Sequence, residues 1–325
     1  MLQDQHHRVH NYLRISLTDF CNFRCVYCMP QEKMEFLPHK RLMQRDEIFT
    51  LAEKFVDLGV TKIRLTGGEP LARKDFANIV SDLSRLRIEL TLTTNAFLLH
   101  KHFDTLQESG IRSVNISLDT LQPDRFKKIT RRDAYNKVWE NINTAIQRGF
   151  RVKLNVVLLK DVNDDEVDDF VKLTENLPIH VRFIEFMPFH KNEWQAEKVI
   201  DHSEIIANLN ASYPLFKLKD GKHDTDRKFG VLGHDGTVSF ISTLSHPFCD
   251  HCNRLRLTAD GKLKNCLFGA EEFDLLSPLR QGEDVESIIR LGVSKKYAQL
   301  GGQFTDYKSL HAEDLTNRSM IQIGG

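Results

Sequence analysis

The six cysteines of this chain fall into two triplets. Cys21, Cys25 and Cys28 sit in "FCNFRCVYC" (Phe20 to Cys28) and follow C-x3-C-x2-C. Cys249, Cys252 and Cys266 follow C-x2-C-x13-C and open with "FCDHC" (Phe248 to Cys252). None is left over. In a reducing compartment such clusters point to metal or redox chemistry rather than to disulfides. A closed zinc site takes four ligands, and the first triplet has no fourth in register. Thiolates also suit an iron–sulfur cluster, which normally takes four cysteines. With three, one iron stays open and can bind a small ligand. The second triplet leaves zinc in contention, because His246 or His251 could supply a fourth ligand. The competing reading is a second three-cysteine cluster with its own open iron.

Two further stretches carry chemistry. "TGGEP" (Thr66 to Pro70) follows a strand, and glycine there permits close backbone approach and unusual φ. "NRLRL" (Asn253 to Leu257) follows the second cysteine pair, and Arg254 and Arg256, two apart on a strand, share a face. Exposed strand arginines are usually solvated and contribute about 0–1 kcal/mol per ion pair. These two lie beside a metal site. Arg14, Arg64, Lys153 and Arg182 occupy other strands, and together the six cations call for a concentrated anion. Arginine forks match phosphate oxygens, so a triphosphate fits better than a carboxylate.

The elements that must position these residues alternate regularly. Strands are expected at "YLRISL", "TKIRLT", "IELTLTT", "SVNISL", "RVKLNVVLL" and "IHVRFIEF". Between the first two, Ile48, Leu51, Ala52, Phe55 and Val56 keep helical spacing, and Gly59 closes the helix. Another helix is expected to open at Asn163, with Glu166 three residues on as its capping partner. Successive β-α units imply a parallel sheet with right-handed crossovers. Six units fit a partial (β/α)6 TIM-like barrel, with a doubly wound sheet as the alternative. Each strand alternates: Leu13 and Ile15 oppose Tyr12 and Arg14, Ile63 and Leu65 oppose Lys62 and Arg64, and Val114 and Ile116 oppose Asn115 and Ser117. The apolar faces must meet the helices and the polar faces must line the lumen. A polar lumen is costly unless it holds something polar. A bulge is expected near Glu185–Met187. Beyond about residue 200, short antiparallel strands ("FGVLG", "TVSFIS", "RLRLTADGKLKNCLF", with a hairpin at Ala259 to Lys262) and a helix near Val285 to Gln299 suggest a smaller C-terminal α+β layer closing the open side. The expected division is residues 1–200 and 201–325.

Composition narrows the class. The 325 residues are 41% hydrophobic, with 45 Lys+Arg against 45 Asp+Glu, so the chain is formally neutral. That argues against a bulk nucleic-acid binder. No apolar run approaches the roughly 20 residues of a membrane span, and no secretory signal opens the sequence. A cytoplasmic location is expected.

The first triplet with "TGGEP" resembles the radical S-adenosylmethionine superfamily. The whole pattern is similar to one family within it, the GTP 3′,8-cyclases (molybdenum-cofactor biosynthesis protein A). The resemblance is carried by "LRISLTDFCNFRCVYCMP", "KIRLTGGEPL", "TTN", "NISLD", "KLNVV", "RFIEFMP", "FCDHCNRLRLTADGKLKNCLF" and the final "IGG", essentially the full chain in order. It implies two [4Fe–4S] clusters, one on Cys21, Cys25 and Cys28 and the other on Cys249, Cys252 and Cys266. It implies that S-adenosyl-L-methionine meets Tyr27, Gly68, Ser117 and Met187. GTP would meet Arg14, Arg64, Thr93, Lys153, Arg254, Leu255 and Arg256, with its guanine on the second open iron and Arg182 on a phosphate or cofactor. A 5′-deoxyadenosyl radical would take H3′ from the ribose, and C3′ would add to guanine C8, giving (8S)-3′,8-cyclo-7,8-dihydroguanosine 5′-triphosphate on the way to molybdopterin. Gly324 and Gly325 would enter the active site as a catalytic tail, although chain ends ordinarily fray. Implied partners are GTP, an electron donor, a downstream pyranopterin-forming enzyme and a second copy in a homodimer. The family usually has glycine after "TTN", where this chain has Ala96; if that position needs φ > 0, alanine is strained. Two rivals are another radical enzyme with an auxiliary cluster, such as a peptide modifier, and a non-catalytic zinc or iron–sulfur module. The inward cations oppose the first, and the polar lumen with its glycine loop opposes the second.

Overall fold

The computed structural model describes residues 1–31, 35–190 and 192–324. Strands β1 (Tyr12–Ser16), β2 (Lys62–Thr66), β3 (Glu89–Thr94), β4 (Ser113–Ser117), β5 (Arg151–Leu158) and β6 (His180–Glu185) follow one another through helical crossovers. These begin with α1 (Arg45–Asp57) and α2 (Phe76–Ser84), continue with α3 (Phe103–Glu108), α4 (Pro123–Thr130) and α5 (Tyr135–Gln147), and end with α6 (Val167–Asn176). All five pairings along β1–β6 are parallel, as a β-α series demands. The apolar alternation does the expected work. Leu13, Ile15, Ile63, Leu65, Val114 and Ile116 are fully buried, and so are Ile48, Leu51, Ala52 and Phe55 of α1. Gly59 ends α1 at φ +101°, a conformation that only glycine adopts cheaply.

The C-terminal part holds α7 (His202–Ser212), β7 (Leu215–Lys217), β8 (Arg227–Val231), β9 (Thr237–Ile241), β10 (Arg254–Leu257), β11 (Lys262–Lys264), β12 (Phe273–Asp274), α8 (Leu276–Arg280), α9 (Glu286–Ser294) and α10 (Met320–Ile323). Its strands do not stack as a separate sheet. They extend the barrel sheet at both edges, in the order β12-β11-β10-β1-β2-β3-β4-β5-β6-β9-β8-β7. β10 lies parallel to β1, and β9 parallel to β6. The "ADGK" hairpin forms as expected, with Thr258 N bonded to Lys262 O at 2.9 Å and Gly261 at φ +70°.

Three local expectations fail for physical reasons. Asn163 and Glu166 do not form a capping box. The Asn163 amide is spent on Leu159 N, Asp119 O and Val157 O, and the Glu166 carboxylate on Thr120 Oγ1, Leu121 N and Arg125. The helix expected to run to Gln299 stops at Ser294, and the Tyr297 and Ala298 carbonyls turn to Arg8 instead. No bulge interrupts β6, which stays in register with β5 to Glu185 and ends there, its carboxylate accepting from Leu244 N and Ser245.

Candidate functional site

The lumen is a cavity of about 480 Å³. It is lined by all six cysteines and by Arg14, Arg64, Thr93, Lys153, Arg182, Arg254 and Arg256, together with Tyr27, Gly68, Ser117 and Met187. Residues from opposite ends of the chain therefore meet in one chamber. Leu255 is the exception. The alternation that turns Arg254 and Arg256 inward turns its side chain into the core, where it is fully buried, so only its backbone can face a ligand. Gly325 lies outside the described residues.

Sheet register explains the charge. Arg14 sits opposite both Arg64 and Arg256 on its neighbouring strands, and Tyr12 opposite Arg254 and Lys62. Three arginines side by side repel one another across a sheet. Burial, then Arg256 and Arg64, holds Arg14 well below its usual pKa. Burial and Arg254 bring Arg256 down to about 10, and burial with Arg64 does the same to Arg182. Lys153 falls to about 8 through burial and Arg182. Tyr12 shows the same field from the other side. Burial would raise it, but Arg64, Arg14 and Arg254 outweigh that and bring it to about 8. Some of these groups have protein partners: Arg64 donates to Tyr12 and Thr93, Arg182 to Asn155, and Arg256 Nη1 to Gly324 O at 2.7 Å. Arg254 Nη2 and Asn115 Oδ1 are buried without a partner among the described residues, which suits a ligand that brings its own polar atoms.

The first triplet occupies the loop after β1. Its backbone is held by α4, through Arg24 N to Thr130 O and Val26 N to Ile129 O. Arginines complete the hold: Arg24 donates to Cys21 O, Arg132 to Asn22 O, and Arg131 to Met29 O and Pro30 O. The glycines of "TGGEP" pack against the chain just before Cys21. Gly68 N donates to Thr18 O at 2.6 Å, and a Cβ at Gly68 would stand 2.4 Å from Phe20 O. The close approach is thus to protein backbone, while the same residues also line the cavity. Glu69 accepts from Leu71 N, Thr94 Oγ1 and Asn95 N, and burial lifts it to about 7. Asp119 accepts from Tyr27 Oη at 2.8 Å and from Val157 N, and burial lifts it to about 6.

All six thiols are free. Within each triplet the thiols feel one another's charge, which places them as a group. Burial followed by Glu69 pushes Cys21 up to about 12, and burial followed by Cys21 does the same to Cys28. A bound metal reverses this, because it takes its thiols deprotonated. Among the described residues no three His, Cys, Asp or Glu side chains converge tightly enough for a single ion. His246 and His251, the histidines that would complete a zinc site, are exposed, and neither lines the cavity.

The tail is docked rather than frayed. Met320 and Ile321 line the cavity. Gly324 has φ +86°, and a Cβ there would meet Ser16 Cβ at 2.7 Å and Thr66 Oγ1 at 2.8 Å. Ala96 does adopt φ +60°, fully buried, held by Asn141 Nδ2 to its carbonyl at 2.7 Å. Sequence reasoning gives no role to Asp119, although it continues the polar face of the fourth strand, and misses the buried Glu69 beside the glycines and the wall residues His223, Asp224, Thr225, Asp226 and Lys228. Tyr12, Lys62 and Asn115 were marked as polar-face residues but given no role. Nothing in the spacing of "KHDTDRK" signals a place in the barrel.

Comparison with known proteins agrees with this geometry. Residues 15–174 match the Radical SAM superfamily, and residues 179–300 match Molybdenum Cofactor Synthesis C. A relative from Arabidopsis thaliana, GTP 3′,8-cyclase, mitochondrial, is 46% identical over 100% of this chain and 84% of its own. GTP 3′,8-cyclase of Desulforamulus reducens is 40% identical over 99% of both chains. Molybdenum cofactor biosynthesis protein 1 of Mus musculus is 46% identical, and the present chain spans about half (51%) of its length. Streptococcus suis SuiB bound to S-adenosylmethionine shares the fold, with a TM-score of 0.62 at 14% identity, covering 94% of this chain and 72% of its own. Among the described residues no helix is long and apolar enough to cross a membrane.

Proposed function

Because the chain belongs to the GTP 3′,8-cyclase family of radical S-adenosylmethionine enzymes, we propose that it converts GTP to (8S)-3′,8-cyclo-7,8-dihydroguanosine 5′-triphosphate in the first step of molybdenum-cofactor biosynthesis. The observation that carries this reading is the row Arg256–Arg14–Arg64 lying in one chamber with two cysteine triplets. Cys21, Cys25 and Cys28 would hold one [4Fe–4S] cluster, and Cys249, Cys252 and Cys266 the other. When bound with S-adenosylmethionine, the cluster on Cys21, Cys25 and Cys28 would supply the electron for radical chemistry.

The chain's own residues bind, orient and shield. Tyr27, Gly68, Ser117 and Met187 surround S-adenosylmethionine. Arg14, Arg64, Thr93, Lys153, Arg254 and Arg256, with the Leu255 backbone, grip GTP. Arg182, tied to Asn155, stiffens the same wall. Gly324, set against Ser16 of β1 and Thr66 of β2, would order the ribose together with the following Gly325. The functional division falls near residue 200, with S-adenosylmethionine chemistry in 1–200 and guanine recognition in 201–325. An electron donor, a downstream pyranopterin-forming enzyme, homodimerisation and a cytoplasmic location complete the proposal.

The test is anaerobic incubation with S-adenosylmethionine, reductant and each nucleoside triphosphate in turn, followed by product identification. Formation of 5′-deoxyadenosine with the cyclised nucleotide from GTP alone is expected. Cleavage of S-adenosylmethionine with no cyclised GTP product overturns the reading.

A further inference from the structure

Lys296 is 2% exposed. Its ammonium donates to Arg254 O at 2.8 Å and lies 3.5 Å from Cys252 Sγ. Among the described residues no carboxylate pairs with it. A buried cation needs an anion or a full set of acceptors, and the nearest anionic candidate is the Cys252 thiolate. Among the described residues the donors to Cys21 Sγ in the first triplet are neutral: Phe23 N at 3.4 Å and Asn95 Nδ2 at 3.8 Å.

Lys296 is also held from behind. Arg8, 8% exposed, donates Nη1 to Cys249 O (2.8 Å) and Ala298 O (2.7 Å), and Nη2 to Tyr297 O (2.7 Å). Its Nε is anchored on Asp4 Oδ2 at 2.7 Å, inside a turn closed by the Gln3–Val9 bridge. One guanidinium thus ties the loop carrying Cys249 to the segment carrying Lys296. Gln5 adds a bond to Lys296 O at 3.3 Å.

We propose that Lys296 is a positioning residue of the second cysteine site: it donates a charged hydrogen bond to the Cys252 sulfur, raises the reduction potential of the cluster there, and is kept in place by the Arg8 clamp. Hydrogen bonds to the sulfurs and local charge are established controls of cluster potential, and outer-shell partners orient metal ligands. The inference rests on the reading of Cys249, Cys252 and Cys266 as cluster ligands.

The experiment is an EPR-monitored reductive titration of anaerobically reconstituted full-length protein, with iron counted in parallel. Lys296→Met is expected to move the second cluster's midpoint to more negative potential and leave the first unchanged, while Lys296→Arg stays near the parent value. Loss of the second cluster in Lys296→Met but not in Lys296→Arg would also support the donor. Full iron with an unmoved midpoint in Lys296→Met overturns the inference alone, and equal loss of the cluster in both variants overturns it as well. A parent protein holding only one cluster's iron overturns the cluster reading and this inference with it. Arg8→Met is expected to release second-site iron to a chelator faster than the parent, and an unchanged release rate removes the clamp.

Discussion

The two cysteine sites carry the same three ligands in opposite fields. Around the first, the carboxyls Glu69 and Asp119 add to burial in holding the thiols up, and Arg24 offsets them only in part at Cys21. Around the second they are cations. Burial would raise Cys252, but Lys296 and Arg254 outweigh it and bring it down to about 7. The contrast matches the expected guests. S-adenosylmethionine carries a sulfonium cation, which an acid-lined pocket favours. GTP carries a triphosphate, which the arginine row favours. Ligand count alone does not distinguish the two proposed open-iron sites, and the surrounding charge supports the proposed division.

The largest effects should come from removing one site at a time. Cys25→Ala is expected to abolish S-adenosylmethionine cleavage and leave about four of roughly eight irons per chain. Cys266→Ala should halve the iron too, yet keep the first cluster and damage GTP binding. Iron analysis with a 5′-deoxyadenosine assay decides, and identical phenotypes would erase the division of labour. Deleting Gly324 and Gly325 should cut between the sites: both clusters and cleavage persist, while cyclised nucleotide stops. A truncated protein making product at the full rate would show the tail to be idle.

Smaller effects test the second field. Arg254→Ala and Arg256→Ala should each weaken GTP by about 1.5–3 kcal/mol, the range for hydrogen bonds to charged groups. Calorimetry with guanosine, which has no phosphates, should show a smaller loss, and equal losses would mean that the fold or cluster is disturbed instead. pH gives a graded version. Lys153 loses its proton above about 8 and Tyr12 also titrates near 8, so as pH rises the first change removes a positive charge and the second adds a negative one. GTP affinity should therefore fall from pH 7 to pH 9, and Lys153→Arg should flatten much of the fall. A profile unaltered by that substitution would exclude Lys153 from phosphate binding.

The smallest effect is expected at Ala96, on the first side. Removing the Cβ relieves about 1–2 kcal/mol of strain at this left-handed position. Glycine's extra chain entropy costs about 0.5–1 kcal/mol, and the lost buried methyl about 0.8 kcal/mol. The terms nearly cancel, so Ala96→Gly should shift stability by less than about 1 kcal/mol in thermal unfolding.

Most of the barrel could be read from the sequence, because period-two alternation fixes both strand position and inward face. The first six strands begin and end within about a residue of expectation, and the cavity-facing cations Arg14, Lys62, Arg64 and Lys153 lie on expected polar faces, whereas Lys228 carries no such mark. Pairing partners were hidden. Nothing in "RLRL" says that it lies parallel to "YLRI", since register with a strand at the other end of the chain leaves no local mark. Leu255 shows the opposite: its place between Arg254 and Arg256 already put its side chain on the core face, which leaves only its backbone to face a ligand. Asn163 and Glu166 had capping chemistry, but other hydrogen-bond partners claimed it. The carboxyls near the first triplet act through burial, which spacing does not report.

The pairing of β10 with β1 has a consequence for the newborn chain. Asn253 Nδ2 reaches Asn11 Oδ1 at 2.7 Å across 242 positions of sequence, and at about 5–20 residues per second the ribosome needs roughly ten seconds to a minute to supply that partner. Throughout that interval the β1 edge offers unsatisfied amides and carbonyls, the condition in which strands from neighbouring chains associate wrongly. The arginine row is also absent until β10 docks. A nascent chain stalled before residue 254 could hold the first cysteine loop but not the complete row, so the nucleotide chamber would be completed only late in synthesis.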